Sequence, residues 1–157
     1  MVETLGVGGV RTMLIPLQGL TLMLPNALVA EVVGYYPPDR LKGTPTWLLG
    51  KAQWRGVYLP LISFERLIGI GFASPGHKAR ILVLYGLKPW MDRMPYYALL
   101  VTEVPRLQRA STDTLALIET EPSVGLLNKV KAGEHEVWVP DLDYLCEQIV
   151  QVWHIHS

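Results

Sequence analysis

A phrase that occurs twice, 80 positions apart, constrains this chain more than any other feature. Residues 51–62, KAQWRGVYLPLI, and residues 131–142, KAGEHEVWVPDL, share a Lys-Ala opening, an aromatic among branched aliphatics, and a proline, Pro60 or Pro140, that closes the run. Each copy reads as a hairpin followed by a strand that ends at its proline, since proline has no N–H to give to a continuing ladder. Two similar small β units follow. They differ where function can show: Trp54-Arg55-Gly56 stands at the first turn and Glu134-His135-Glu136 at the matching place in the second.

Around the two copies, short apolar runs alternate with glycine and proline. Residues 1–12 are glycine-rich and read as a flexible lead-in, with structure starting near Met13. Met13–Leu17 and Leu20–Leu24 flank Gln18-Gly19, which predicts a tight hairpin. Pro25-Asn26 followed by the valine-containing stretch 27–33 predicts a short helical turn running into a strand. Tyr35 to Pro45 reads as a surface loop, and Ser63–Leu67 with the glycines beyond it as a short turn and flexible connector. Arg80–Tyr85 and Tyr97–Val101 are unbroken aliphatic runs, the pattern of central strands buried on both faces, with residues 86–95 looping between them. Ser111–Ile118 reads as a capped turn, and Val124–Lys131 with Glu136–Val139 as a hairpin across Ala132-Gly133. Asp141 can cap a final helix whose Leu142, Leu145, Ile149, Val150 and Trp153 share one face. Many short strands at short intervals indicate an all-β fold of small closed barrels. The expectation is one domain over residues 13–157, with barrel one over about 13–75 and barrel two over about 76–153, one per repeat.

Composition narrows the function. Fourteen basic and fourteen acidic residues cancel, so no global field draws phosphate backbones or anionic lipid. A nucleic-acid-binding barrel is one alternative, but the basic stripe with interleaved aromatics that it needs is missing. The single cysteine, Cys146, leaves no internal disulfide. No apolar run approaches the about 20 residues of a membrane span, and residues 1–11 lack a signal-peptide core, so a cytoplasmic setting is expected. A small hydrolase using Cys146 or a histidine is the other alternative. Cys146 falls on the apolar face of the final helix, where a free thiol packs as a small hydrophobe. His154 and His156 are too few for zinc, while His77 and His135 fall in turns. With no phosphate loop, nucleophile elbow or zincin helix, no catalytic residue, metal or cofactor is expected.

What remains distinctive is bulk near hairpin ends: Trp47, Trp54, Tyr58 and Trp138. Trp47 and Trp138 read as core fillers. Trp54-Arg55-Gly56 reads either as a docking turn or as a structurally bonded one, because arginine offers five fixed donors suited to carboxylates or backbone carbonyls, and Trp and Arg are enriched where partners dock.

At these residues the chain resembles the CheW-like domain family, the coupling proteins that join chemoreceptors to a histidine kinase. The resemblance runs through Met23-Leu24-Pro25, Val29-Ala30-Glu31-Val32, Pro45 and Trp47-Leu48-Leu49-Gly50, and is densest over Arg55–Ile62. It continues through Ile81–Leu84, Leu99–Val104 and Val137–Leu142, covering about residues 13–153. The resemblance implies two intertwined five-stranded barrels similar to SH3, no catalytic activity, edge-to-edge binding to the kinase's regulatory domain, and a groove between barrels for a receptor's helical-hairpin tip. It further implies partner contacts at Val29, Glu31, Gly50, Arg55 and Leu107, to which the docking reading of the turn adds Trp54. Ser63-Phe64, where the family has Asp or Asn and then Leu, and Thr102, where Asp is usual, depart from the pattern and bear on direct receptor binding. The loop around Lys88–Met91 is longer and more apolar than the family pattern and points to a divergent branch serving a pilus-motility chemosensory system.

Overall fold

The aliphatic runs become strands. A computed structural model describes residues 10–71, 74–110 and 115–153, so the lead-in over 1–9, the Ser111–Asp113 cap and the His154/His156 pair lie outside the described residues. In chain order the strands are β1 (Val10–Pro16), β2 (Thr21–Pro25), β3 (Val29–Gly34), β4 (Leu48–Trp54), β5 (Val57–Ile62), β6 (Arg80–Tyr85), β7 (Tyr96–Val101), β8 (Arg106–Ala110), β9 (Leu115–Ile118), β10 (Leu126–Ala132) and β11 (His135–Pro140). Among the described residues there are also two α-helices, α1 (Phe64–Ile68) and α2 (Leu142–Trp153), and a 3-10 turn at Asn26–Leu28 that runs into β3 as expected.

The strands form two sheets, ordered β3-β6-β7-β5-β4 and β8-β1-β2-β11-β10-β9. Both follow one plan. An antiparallel hairpin (β6–β7 or β1–β2) lies between an antiparallel strand (β3 or β8) and a parallel neighbour (β5 or β11), and that neighbour belongs to a second hairpin (β4–β5 or β10–β11). The barrels are therefore not the two halves of the chain, as the expected split near residue 75 had it. Each half gives its leading hairpin to the other half's sheet, which is how two repeats become intertwined. The second sheet also has six strands where five were expected, the extra one being β9. Leu115–Ile118 thus pairs with β10 instead of forming a turn, and β8, which no sequence signal marked, pairs with β1. Strand β1 starts at Val10, earlier than Met13, because β8 supplies partners for Val10, Arg11 and Thr12.

Side-chain alternation explains the cores. In β6, Ile81 and Val83 point into a cluster made by the first sheet alone, whereas Leu82 and Leu84 point into a larger cluster shared by both sheets. In β1 and β2, Leu14 and Met23 fill the second sheet's own cluster, and Met13, Ile15, Leu22 and Leu24 join the shared one. A strand buried on both faces needs apolar residues at consecutive positions, hence the unbroken runs. Helix α2 lays Leu145, Cys146, Ile149, Val150 and Trp153 on the shared core, and Asp141 Oδ1 accepts from the Tyr144 N–H at 3.1 Å to cap it.

Two details of the repeat need correction. Pro60 does not end its strand; β5 continues to Ile62. The backbone N–H and C=O of Lys51, opposite Pro60, bond to Asp39 on the far side, so the Lys51/Pro60 pair exchanges no ladder bonds. Proline's missing N–H therefore costs nothing toward β4, and pairing with β7 begins only at Leu61. Pro140 does end β11. Second, the hairpin loops are Arg55-Gly56 and Gly133-Glu134, 78 residues apart, so the written repeat is out of step with the turns by two. A shift of two keeps every side chain on its face, and the first barrel's Arg55-Gly56 matches Gly133-Glu134 in the second.

Candidate functional site

The β4–β5 loop is a two-residue turn in which both central residues have positive φ, +49° at Arg55 and +80° at Gly56. That is the geometry whose twist suits a hairpin and which normally selects Asn-Gly. Arginine in the left-handed region carries a cost of about 1 kcal/mol or more. Its side chain has compensating contacts: the guanidinium lies 4.9 Å from the Trp54 ring centre, and Nη2 is 3.2 Å from Glu31 Oε1.

Glu31 comes from β3 and Trp54 from β4, the two edges of the five-stranded sheet. The Trp54 indole N–H donates to the same Glu31 Oε1 at 2.8 Å, so one carboxylate oxygen joins both edges and closes the barrel at this end. Trp54 is 8% exposed, and its ring meets Tyr96 edge-on at 4.9 Å, with the Tyr85 ring tilted against Tyr96 at 5.7 Å. Trp54 therefore serves as the buried support of Arg55 and Glu31, not as the surface bulk that the sequence suggested. What faces outward is Arg55, with Val57, Tyr58 and Tyr85 exposed in the same barrel and Lys51 over the Tyr58 ring at 4.6 Å.

The other expected contact residues fall elsewhere. Val29 opens β3 and packs partly buried against the shared core. Gly50 has an internal reason to be glycine: φ is +150°, and a Cβ there would sit 2.3 Å from the Asp39 carbonyl oxygen, which the Asp39–Lys51 bridge brings against it. Leu107, on β8 in the second sheet, is 56% exposed. Trp47 and Trp138 pack partly buried on the shared core, as read from the sequence.

Cys146 is free and fully buried, its thiol against Tyr97 and the Leu87 backbone. Burial pushes its titration up, away from the thiolate a nucleophile needs. One polar group had no sequence signal at all. Glu65 in α1 is fully buried; Oε2 accepts from the Gln18 N–H at 2.9 Å, while Oε1 has no hydrogen-bond partner among the described residues. Its carboxyl titrates above the ordinary range, with burial the main cause and its hydrogen bonds opposing. It ties the β1–β2 turn of one sheet to α1 after the other sheet's β5.

The CheW-like domain family model matches residues 11–147. Comparison with curated protein sequences finds no match. Among solved structures, the chain is similar to the scaffolding protein TtCheW from Thermoanaerobacter tengcongensis, with 18% identity, a TM-score of 0.71, and coverage of 85% of this chain and 89% of that one. At that identity the likeness shows the fold, two SH3-like barrels, which the strand orders above describe strand by strand.

Proposed function

The chain belongs to the CheW-like domain family, and from that premise we propose that it is a coupling adaptor in chemotaxis signalling, joining chemoreceptor tips to the regulatory domain of a histidine kinase. The observation that carries the reading is a family match spanning both barrels, residues 11–147. Three features of the chain support it. The turn at Arg55 holds a guanidinium outward against the buried Trp54 ring and the half-exposed Glu31 carboxylate, a preorganised donor set of the kind found where partners dock. Apolar side chains, Val57, Tyr58 and Tyr85, are exposed in the same barrel and supply area that a partner can bury. The cysteine that an enzyme reading would use is buried and held as a thiol.

The mechanism is geometric. The exchanged hairpins and the shared core make the two barrels one packed body. Such a body fixes the distance and angle between whatever each barrel holds, so a small shift in a receptor is passed to the kinase as a change in its conformational equilibrium. In this reading Arg55 and Glu31 orient one partner at the end of the first barrel, and Leu107 contacts a partner at the second. Among the described residues no helix is long and apolar enough to cross a membrane. The long apolar loop around Lys88–Met91 supports assignment to a pilus-motility branch.

Titration calorimetry of the whole chain against a receptor hairpin and a kinase regulatory domain tests the proposal. Binding to one or both with dissociation constants on the order of tens of micromolar or tighter is expected. Absence of binding to either would remove it.

A further inference from the structure

Among the described residues Glu65 is the only charged side chain that is fully buried. Its Oε2 accepts from the Gln18 N–H at 2.9 Å, and its Oε1 has no hydrogen-bond partner among them. Burial of a carboxyl group with one oxygen unpaired destabilises a fold until a donor meets that oxygen. Burial raises the Glu65 titration; the Gln18 N–H, its own N–H, the Ser63 hydroxyl and the Arg66 charge oppose this, and none of them hydrogen-bonds Oε1. Arg66 acts on the carboxyl through its charge, while its Nη1 donates to the Thr46 carbonyl at 3.0 Å.

Glu65 borders a cavity of about 160 Å³. Gln18 reaches it from the β1–β2 turn of one sheet and Thr102 from just past β7 of the other, where the Thr102 hydroxyl and N–H both donate to the Pro16 carbonyl at 3.0 Å. A hydroxyl that donates in this way still has lone pairs with which to accept. Ala79, Leu100 and Val101 give the cavity an apolar wall, and the exposed Gly76 marks its solvent side. At about 30 Å³ per water, the space is that of about five waters. We infer that this cavity binds a primary ammonium group on a short alkyl stem, with the ammonium on Glu65 Oε1 and the Thr102 hydroxyl oxygen and the stem along Ala79, Leu100 and Val101. Glu65 is the only ionisable side chain among the described residues that line the cavity, so a cation brings the counter-charge it lacks there. An ammonium suits the site better than a guanidinium, which takes both carboxylate oxygens at once, because Oε2 is already held by Gln18. A divalent metal ion needs a full shell of oxygen ligands, which an apolar wall does not provide, whereas the same wall packs well on methylene groups. The inference goes beyond the adaptor reading and does not rest on it.

The probe is n-butylammonium, titrated into the whole chain, with n-butanol as the uncharged control. Its dissociation constant at pH 8 should be about 1–10 mM, and the melting temperature should rise with amine concentration, because a ligand that binds only the folded chain stabilises it by mass action. Butanol should bind at least about tenfold more weakly. Amide shifts should centre on Gln18, Glu65 and Thr102. Burial holds the Glu65 carboxyl above 4.5, so it is mostly neutral at pH 4, and the affinity there should be at least about threefold lower than at pH 8, the amine keeping its charge throughout. Arg66, His77, Lys78 and Glu103 flank lining positions in sequence but do not line the cavity. Glu65→Gln should therefore remove the pH dependence and at least about tenfold of the affinity while the chain stays folded. A Gly-Lys-Gly peptide blocked at both ends separates the sources of the ammonium. If it binds as butylammonium does, the ligand is a lysine side chain of a polypeptide; if butylammonium alone binds, it is a free small amine. The inference is overturned if butanol binds equally well, if folded Glu65→Gln keeps full affinity, if affinity is the same at pH 4 and 8, or if neither amine shifts amides or melting temperature at about 50 mM.

Discussion

Replacing Arg55 by alanine should separate docking from folding. The ion pair to Glu31 is 3.2 Å long, but the two side chains are 69% and 37% exposed, so solvent screening limits it to about 0.2–1 kcal/mol. Stacking of the guanidinium over Trp54 at 4.9 Å adds about 0.5–1 kcal/mol. The left-handed backbone at φ +49° is equally awkward for alanine, so nothing is regained there. Arg55→Ala should thus cost about 1–2 kcal/mol, lowering the melting temperature by about 2–4 °C per kcal/mol in a chain of this size. Arg55→Gly loses the same contacts but relieves the turn, and should be the more stable of the two in spite of the entropy glycine adds to the unfolded chain. Urea unfolding at low and high salt measures the first effect, and calorimetric titration with the kinase regulatory domain and receptor hairpin measures the second. Both variants should lose at least about tenfold in affinity for one partner, more than a rim contact would contribute. A stability loss above about 3 kcal/mol would show that Arg55 holds the barrel together and is not a docking group. Unchanged affinity for both partners in a folded variant would refute the docking role outright.

Glu65→Gln should reveal the buried carboxyl through pH. The folded-state titration of Glu65 is raised above 4.5 by burial, so the stability it contributes is present in full below that value and lost as pH rises through the raised one. The glutamine variant should therefore gain on the parent with rising pH, by up to about 1–3 kcal/mol at pH 8; an advantage that does not change between pH 4 and 8 would contradict a buried, proton-holding acid. Gly50→Ala should cost at least about 2 kcal/mol in urea unfolding, since its Cβ would meet the Asp39 carbonyl at 2.3 Å. A stable Gly50→Ala that loses partner binding would instead make Gly50 a contact residue. Cys146 should react with a thiol reagent at least about a hundredfold more slowly in the folded chain than in urea, as a buried thiol reached only by opening, and fast reaction in the folded chain would reopen the enzyme reading.

Much of the architecture was legible in the residues. The hairpin at Gln18-Gly19, the 3-10 turn into β3, the central strands β6 and β7 and the capped helix α2 all follow from local rules of turn chemistry, capping and periodicity. What failed was non-local. Strand β8 is short and polar, RLQRA, and is a strand only because β1 offers it an edge. Pro60 looked like a strand end because its tolerance depends on Lys51 bonding away from it, toward Asp39. Leu115–Ile118 looked like a turn because a four-residue apolar run carries no period of its own, and β10 decides its state. Of the residues expected to dock, Glu31, Trp54 and Arg55 come together, while Gly50 has an internal backbone reason and Leu107 lies in the other sheet.

The sequence by itself determined that this chain is built of two repeated β units, balanced in charge, with a distinctive arginine turn in one unit and a helix to close the core. Those properties depend on side-chain type and spacing along the chain, which are local. Only the tertiary structure decided that the two halves exchange their leading hairpins, that the turns are 78 residues apart, and that Glu31, 23 residues before Trp54, receives both the indole and the guanidinium. It also set Arg11 against Arg109, residues 98 positions apart. The physical reason is that pairing partners and barrel closure are chosen by burial of the whole chain, and no window of sequence contains both members of such a pair.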